Sequence, residues 1–147
     1  MKSLVIYDSN FGNTQKIAET IAKELNSRAV RSKNVSEGEI EEADLLIVGS
    51  PIIGWKPSEN MGEFLLELKS EQLKAKKVIT FDTRVKLFIH GDAAKKIEKT
   101  LVDAGAESLG EPEFFYVKGQ RGPLLKGEEE KAVAWAKNIT SSFKNKE

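Results

Sequence analysis

The chain has 147 residues, 39% apolar and 31% charged, the size and make-up of one globular domain around one hydrophobic core, which leaves no room for a second catalytic domain and excludes a disordered or fibrous chain. Twenty-three basic side chains balance twenty-three acidic ones, so no net field draws the protein to nucleic acid or anionic lipid. With no Cys and a single His, His90, there are no disulfides, Cys-ligated zinc, iron–sulfur clusters or thiol nucleophiles, and a His-rich metal site has nothing to build it.

Short aliphatic runs alternate with longer helical patterns along the chain, the order expected of βαβ units. Residues 4–7 predict a first strand, bounded by Asp8-Ser9-Asn10 and followed by a helix with Ile17, Ala18, Ile21, Ala22 and Leu25 on one stripe. Residues 29–35 make a weaker strand, interrupted by Arg31 and Lys33, which suits a sheet edge. The run Leu45-Leu46-Ile47-Val48 reads as a central strand buried on both faces. Pro57-Ser58 offers a helix start, with Met61, Phe64, Leu65 and Leu68 at i, i+3, i+4, i+7. Residues 78–81 predict the next strand, with Asp82-Thr83-Arg84 opening a loop. Asp92 is placed to cap a helix carrying Ala94, Ile97, Leu101 and Ala104, and Gly105 to end it. Residues 114–117 form the last strand, and Glu128-Glu129-Glu130 start a final helix presenting Ala132, Ala136, Ile139 and Phe143 inward. The expected fold is α/β, a single domain over 1–147 with five strands in an open, doubly wound parallel sheet and four or five helices. The apolar runs stay far below a bilayer span and the N-terminus does not read as a secretory signal, so the expected location is the cytoplasm.

Ligands of such sheets bind beyond the carboxyl ends of the strands, which directs attention to three loops. The first, Ser9-Asn10-Phe11-Gly12-Asn13-Thr14, joins two hydroxyls and a permissive glycine to a helix N-terminus, a setting that suits a phosphate. The same side chains serve equally well as plain helix caps. Neither Gly-x-x-x-x-Gly-Lys-Ser/Thr nor Gly-x-Gly-x-x-Gly occurs, which argues against nucleoside triphosphates and ordinary dinucleotide binding. The second loop, Ser50-Pro51-Ile52-Ile53-Gly54-Trp55, sets a large aromatic where a flat ring system can stack, unless Trp55 folds down onto the helix of Met61 and Phe64. The third, Phe81-Asp82-Thr83-Arg84, offers hydrogen-bonding groups and a cation.

Together these loops resemble those of flavodoxins. That family's phosphate loop reads Thr/Ser-x-Thr-Gly-Asn-Thr; Ser9, Gly12, Asn13 and Thr14 match it, while Phe11 stands at a hydroxyl position and keeps its backbone N–H. The stretch from Asp44 through Gly49-Ser50-Pro51, and the ending Phe115-Tyr116-Val117-Lys118-Gly119 before a Gly-Pro turn and a helix with Trp135-Ala136, extend the likeness over the chain. The resemblance implies a three-layer, five-stranded sheet of order 2-1-3-4-5 in the short-chain branch. It also implies noncovalent FMN and a monomer that shuttles single electrons between redox partner proteins, with the chemistry residing in the flavin and no side chain acting as general acid or base. Residues Ser9, Asn10, Phe11, Gly12, Asn13 and Thr14 would then hold the phosphate. Ser50, Pro51, Ile52, Ile53, Gly54 and Trp55 would lie along the ring, and Phe81, Asp82, Thr83 and Arg84 would meet its pyrimidine edge. Arg84 would stand there as a cation that favours the negatively charged reduced flavin.

Two departures stand out. The loop after the fourth strand has no Tyr to cover the outer flavin face, leaving Phe88 as its only aromatic, and the chain is neutral where flavodoxins are acidic. An alternative on the same fold is a small flavin-dependent NAD(P)H or quinone reductase. A phosphorelay receiver domain is disfavoured because Gly49-Ser50 replaces the phosphoacceptor Asp, and a flavin-free scaffold because Gly12-Asn13-Thr14 is intact.

Overall fold

A computed structural model describes residues 1–87 and 90–146. The sheet is parallel through its centre: β1 (Ser3–Tyr7), β3 (Leu45–Ile53) and β5 (Lys77–Val85) lie side by side, and β2 (Arg28–Arg31) forms one edge. At the other edge two short strands, β6 (Glu107–Ser108) and β7 (Glu113–Val117), both pair with β5. The order β2-β1-β3-β5-β6/β7 is the expected 2-1-3-4-5 arrangement, with the fifth position shared by two pieces. Pro112, which brings no N–H to a ladder, stands between them. The two-residue β4 (Lys56–Pro57) folds back antiparallel on the end of β3.

The apolar interior is divided by the sheet into two clusters, where a single core was expected. Leu45 and Ile47 belong to one and Leu46 and Val48 to the other, so a strand covered on both faces reads as an unbroken apolar run. On the first face α1 (Asn13–Leu25) buries Ile17, Ala18, Ile21 and Ala22, and α5 (Glu128–Asn145) buries Ala132, Trp135, Ala136, Ile139 and Phe143. There Phe81, Phe115 and Trp135 meet edge to face, with centroids 5.8–6.0 Å apart. The other face is covered by α2 (Glu37–Glu42), α3 (Glu59–Leu66) and α4 (Ala94–Asp103) through Ile40, Met61, Phe64, Ile97 and Leu101. No helix among the described residues is long and apolar enough to cross a membrane.

Three local features differ from the sequence reading. α2 starts with a reciprocal cap, the Glu39 N–H donating to Ser36 Oγ (3.1 Å) and the Ser36 N–H to the Glu39 carboxylate (3.1 Å). β5 runs on to Val85, so Asp82, Thr83 and Arg84 are strand residues and the loop opens after them. At the start of α4 the N–H groups of Ala93 (3.2 Å) and Ala94 (2.9 Å) donate to Asp82 on the neighbouring strand, and Asp92 accepts the Lys96 N–H (3.1 Å) in place of the first-turn groups it was expected to cap. At the outer edge of β7, the Tyr116 N–H donates to Glu128 (2.6 Å) and its carbonyl accepts the Leu125 N–H (2.9 Å).

Gly49 and Phe81 are register partners on β3 and β5, and the Phe81 ring occupies the space a Cβ on residue 49 would need. Gly49→Ala should therefore lose about 1–3 kcal/mol in denaturant unfolding through overpacking, and adding Phe81→Leu should return part of it.

Candidate functional site

The carboxyl ends of β1, β3, β5 and β7 open onto one cleft of about 220 Å³. Of the residues singled out from sequence, Ser9, Asn10, Phe11, Asn13, Thr14, Pro51, Ile52, Ile53, Gly54, Trp55, Thr83 and Arg84 line it.

The loop after β1 turns at Gly12, whose φ of +93° is a backbone state that side chains with a Cβ rarely adopt, and the Gly12 N–H donates to Ser9 Oγ (3.0 Å). First-turn N–H groups of a helix have no intrahelical partners, and no side chain caps α1. Ser9, Asn13 and Thr14 are thus not ordinary helix caps. Thr14 is buried and its hydroxyl hydrogen-bonds that of Thr83 at 2.6 Å, which ties the first loop to the end of β5.

The loop after β3 rests on a buried polar network. Ser58 Oγ donates to the buried Asp8 carboxylate (2.5 Å), and the Ser58 N–H donates to Ser50 Oγ (3.0 Å). Ser50 is accordingly enclosed beneath the cleft and does not line it, a correction to its placement beside the ligand. Trp55 does not fold onto α3. It stands 57% exposed at the cleft with φ +70°, its carbonyl accepting the Asp92 N–H (3.2 Å) and Lys96 Nζ (3.0 Å). Gly91 approaches the Trp55 backbone so closely that a Cβ there would overlap it.

Phe81 and Asp82 are fully buried and outside the cleft, because β5 ends four residues later than 81 and carries them into the interior. Arg84, 6% exposed, donates through Nε to Asp82 Oδ1 (2.8 Å) and through Nη2 to Asp82 Oδ2 (2.6 Å) and Asp92 Oδ1 (3.3 Å). Its guanidinium also lies 3.8 Å above the Phe114 ring. Burial pulls the Arg84 pKa down, but hydrogen bonding to Asp82, the Asp82 charge and Asp92 together outweigh it, and the net direction is up. Arg84 was expected as a lone cation; in the structure its charge is paired with Asp82 and Asp92.

Val85, Leu87, His90, Gly91, Val117 and Gln120 also line the cleft, although sequence reasoning assigned them no part. His90 reaches it beside Arg84, whose Nη1 lies 3.1 Å from His90 Nδ1. Position at the end of β7 for Val117, and in the connection after it for Gln120, was the one available signal. Gly12 shapes the first loop without lining the cleft, and Phe88 lies outside the described residues.

A family model described as a flavodoxin domain matches residues 4–120. The chain belongs to the flavodoxin family. It is 36% identical over 120 residues to an uncharacterized protein of Methanocaldococcus jannaschii, a match that covers 81% of this chain and 76% of that one. A flavodoxin of Aquifex aeolicus is 40% identical over 80 residues, or 48% of this chain and 43% of that protein. Among solved structures, Flavodoxin 1 from Bacillus cereus superposes with a TM-score of 0.81 at 18% identity, over 96% of this chain and 98% of that one, a likeness of fold.

Within this flavodoxin-family site the Asp82–Arg84 pair is buried, so removing one partner strands the other. Arg84→Met is expected to cost about 3–5 kcal/mol in equilibrium unfolding. Arg84→Lys should recover only part of that, because a single ammonium does not reproduce the two-point contact with Asp82.

Proposed function

We propose that the protein binds FMN noncovalently in this cleft and carries single electrons between redox partner proteins. The observation that carries the reading is the uncapped start of α1, turned at Gly12, facing the same cleft as the exposed Trp55. An open helix N-terminus suits a phosphate, and an exposed indole between apolar residues suits a flat ring, so the residues present fit the group. Family membership and the relatives named flavodoxin support the same reading.

Backbone N–H groups of Asn10, Phe11, Asn13 and Thr14, with the Ser9 hydroxyl, would hold the phosphate, and Gly12 would give the loop its turn. Pro51, Ile52, Ile53, Gly54 and Trp55 would lie against the ring and keep water from that face. Thr83, Arg84 and Val85 would meet its edge, with Arg84 held in place by Asp82. When bound, FMN supplies the one-electron chemistry. The task of this chain is to position the group on a rigid strand-end frame and leave an edge accessible to partners.

The purified protein is expected to show visible flavin absorption bands. FMN at one hundred times its dissociation constant should stabilise the fold by about 2.7 kcal/mol, and riboflavin, lacking the phosphate, by far less. Equal protection by the two in thermal unfolding would place the phosphate elsewhere. Trp55 fluorescence should be quenched when FMN binds, and Trp55→Phe should remove most of the apo-to-holo change while the buried Trp135 signal persists. A change of undiminished size in that variant counts against stacking on Trp55.

A further inference from the structure

Formal neutrality conceals a lopsided distribution of charge. The connections that follow β1, β3, β5 and β7 all emerge at the cleft end of the sheet, and the exposed charges they carry are mostly positive: Lys56, Lys86, Lys118 and Arg121, with Lys126 further on. The carboxylates in the same segments are committed, Asp8 buried against Ser58 and Asp92 set against Arg84. None of the cations comes within 4.0 Å of a carboxylate oxygen among the described residues. Exposed Glu129 and Glu130 on the first turn of α5 offset Lys126, and exposed Glu59 on the first turn of α3 partly offsets Lys56, so Lys86, Lys118 and Arg121 form the centre of the face. The same connections hold Phe11 (48% exposed) and Leu87 (62%) beside Trp55, and the Arg121 guanidinium lies 5.3 Å above the Phe11 ring.

Apolar contacts rimmed by charges of one sign are the anatomy of a transient protein interface steered by electrostatics. We propose that this end of the molecule docks redox proteins whose own contact surface is acidic. The inference rests on the electron-carrier reading and adds the chemistry of the partner. Exposed cations around the cleft would steer such a partner toward it.

The test uses the isotope-labelled, FMN-loaded protein titrated with a short poly-glutamate peptide, with poly-lysine as the comparison, while amide resonances are followed. Shifts are expected in the connections after β3, β5 and β7, with poly-lysine inert there. Affinity should weaken about fivefold or more between about 10 mM and about 0.1 M salt, as the Debye length shortens from about 30 to about 10 Å. Lys56→Glu/Lys86→Glu/Lys118→Glu should abolish the shifts while the flavin spectrum stays unchanged, and the corresponding triple Gln variant should weaken them. Shifts scattered over the surface, or equal binding by the Glu variant, would overturn the proposal. So would 2′,5′-ADP competing for the same loops more tightly than the peptide, because the cations would then serve a nucleotide. The titration also runs on flavin-free protein, so missing flavin bands would count against FMN binding alone, and missing shifts against the docking face alone.

Discussion

A carboxylate shut away from water must be compensated where it stands, and at Asp82 that requirement organises one side of the molecule. Its two oxygens receive Nε and Nη2 of Arg84 and the N–H groups of Ala93 and Ala94. Without these donors the ionised group would be too costly to bury. With them, one side chain binds the end of β5 to the start of α4 and holds a guanidinium 3.8 Å above the Phe114 ring. Asp92 joins from the far side, and its own N–H fixes the carbonyl of Trp55. A chain of polar contacts therefore leads from the middle of β5 to the aromatic that stands at the cleft.

The other walls have equivalent supports. Asp8, Ser58 and Ser50 form a buried relay under the β3 loop, and the Thr14–Thr83 hydroxyl pair fastens the first loop to the third. The left-handed backbone of Trp55, of the kind that costs of order 1–3 kcal/mol, persists because Gly91, Asp92 and Lys96 leave it no easier state. Loops held this way lose little freedom on taking up a ligand, which is the basis of preorganised binding.

The sequence showed the parts of this arrangement that depend on pattern. Continuous apolar runs marked β1 and β3 because both are covered on two faces, and Gly12 marked the turn before α1 because few other residues tolerate its φ. The end of β5 was misread because Asp82, Thr83 and Arg84 look like loop residues. They are buried in a strand only because Ala94, Thr14 and one another satisfy them, and partners so distant in sequence leave no periodic trace. Phe81 was included with that loop because the strand was read as ending at it, whereas its ring lies over Gly49. The Ser36–Glu39 cap of α2, by contrast, follows a spacing visible in the sequence.

The edges of the sheet bear on how copies of this protein behave when crowded together. A neutral molecule has no long-range repulsion to keep its neighbours away, so colloidal stability depends on what its surface leaves open to pairing. β2 is four residues long and bracketed by Arg28 and Arg31. At the opposite edge, where Glu128 and Leu125 already occupy the Tyr116 amide and carbonyl, Lys131 takes the carbonyl of Phe114. A strand from another copy arriving at either side finds short or occupied hydrogen-bonding groups, and resistance to edge-to-edge aggregation is built into the ladder itself.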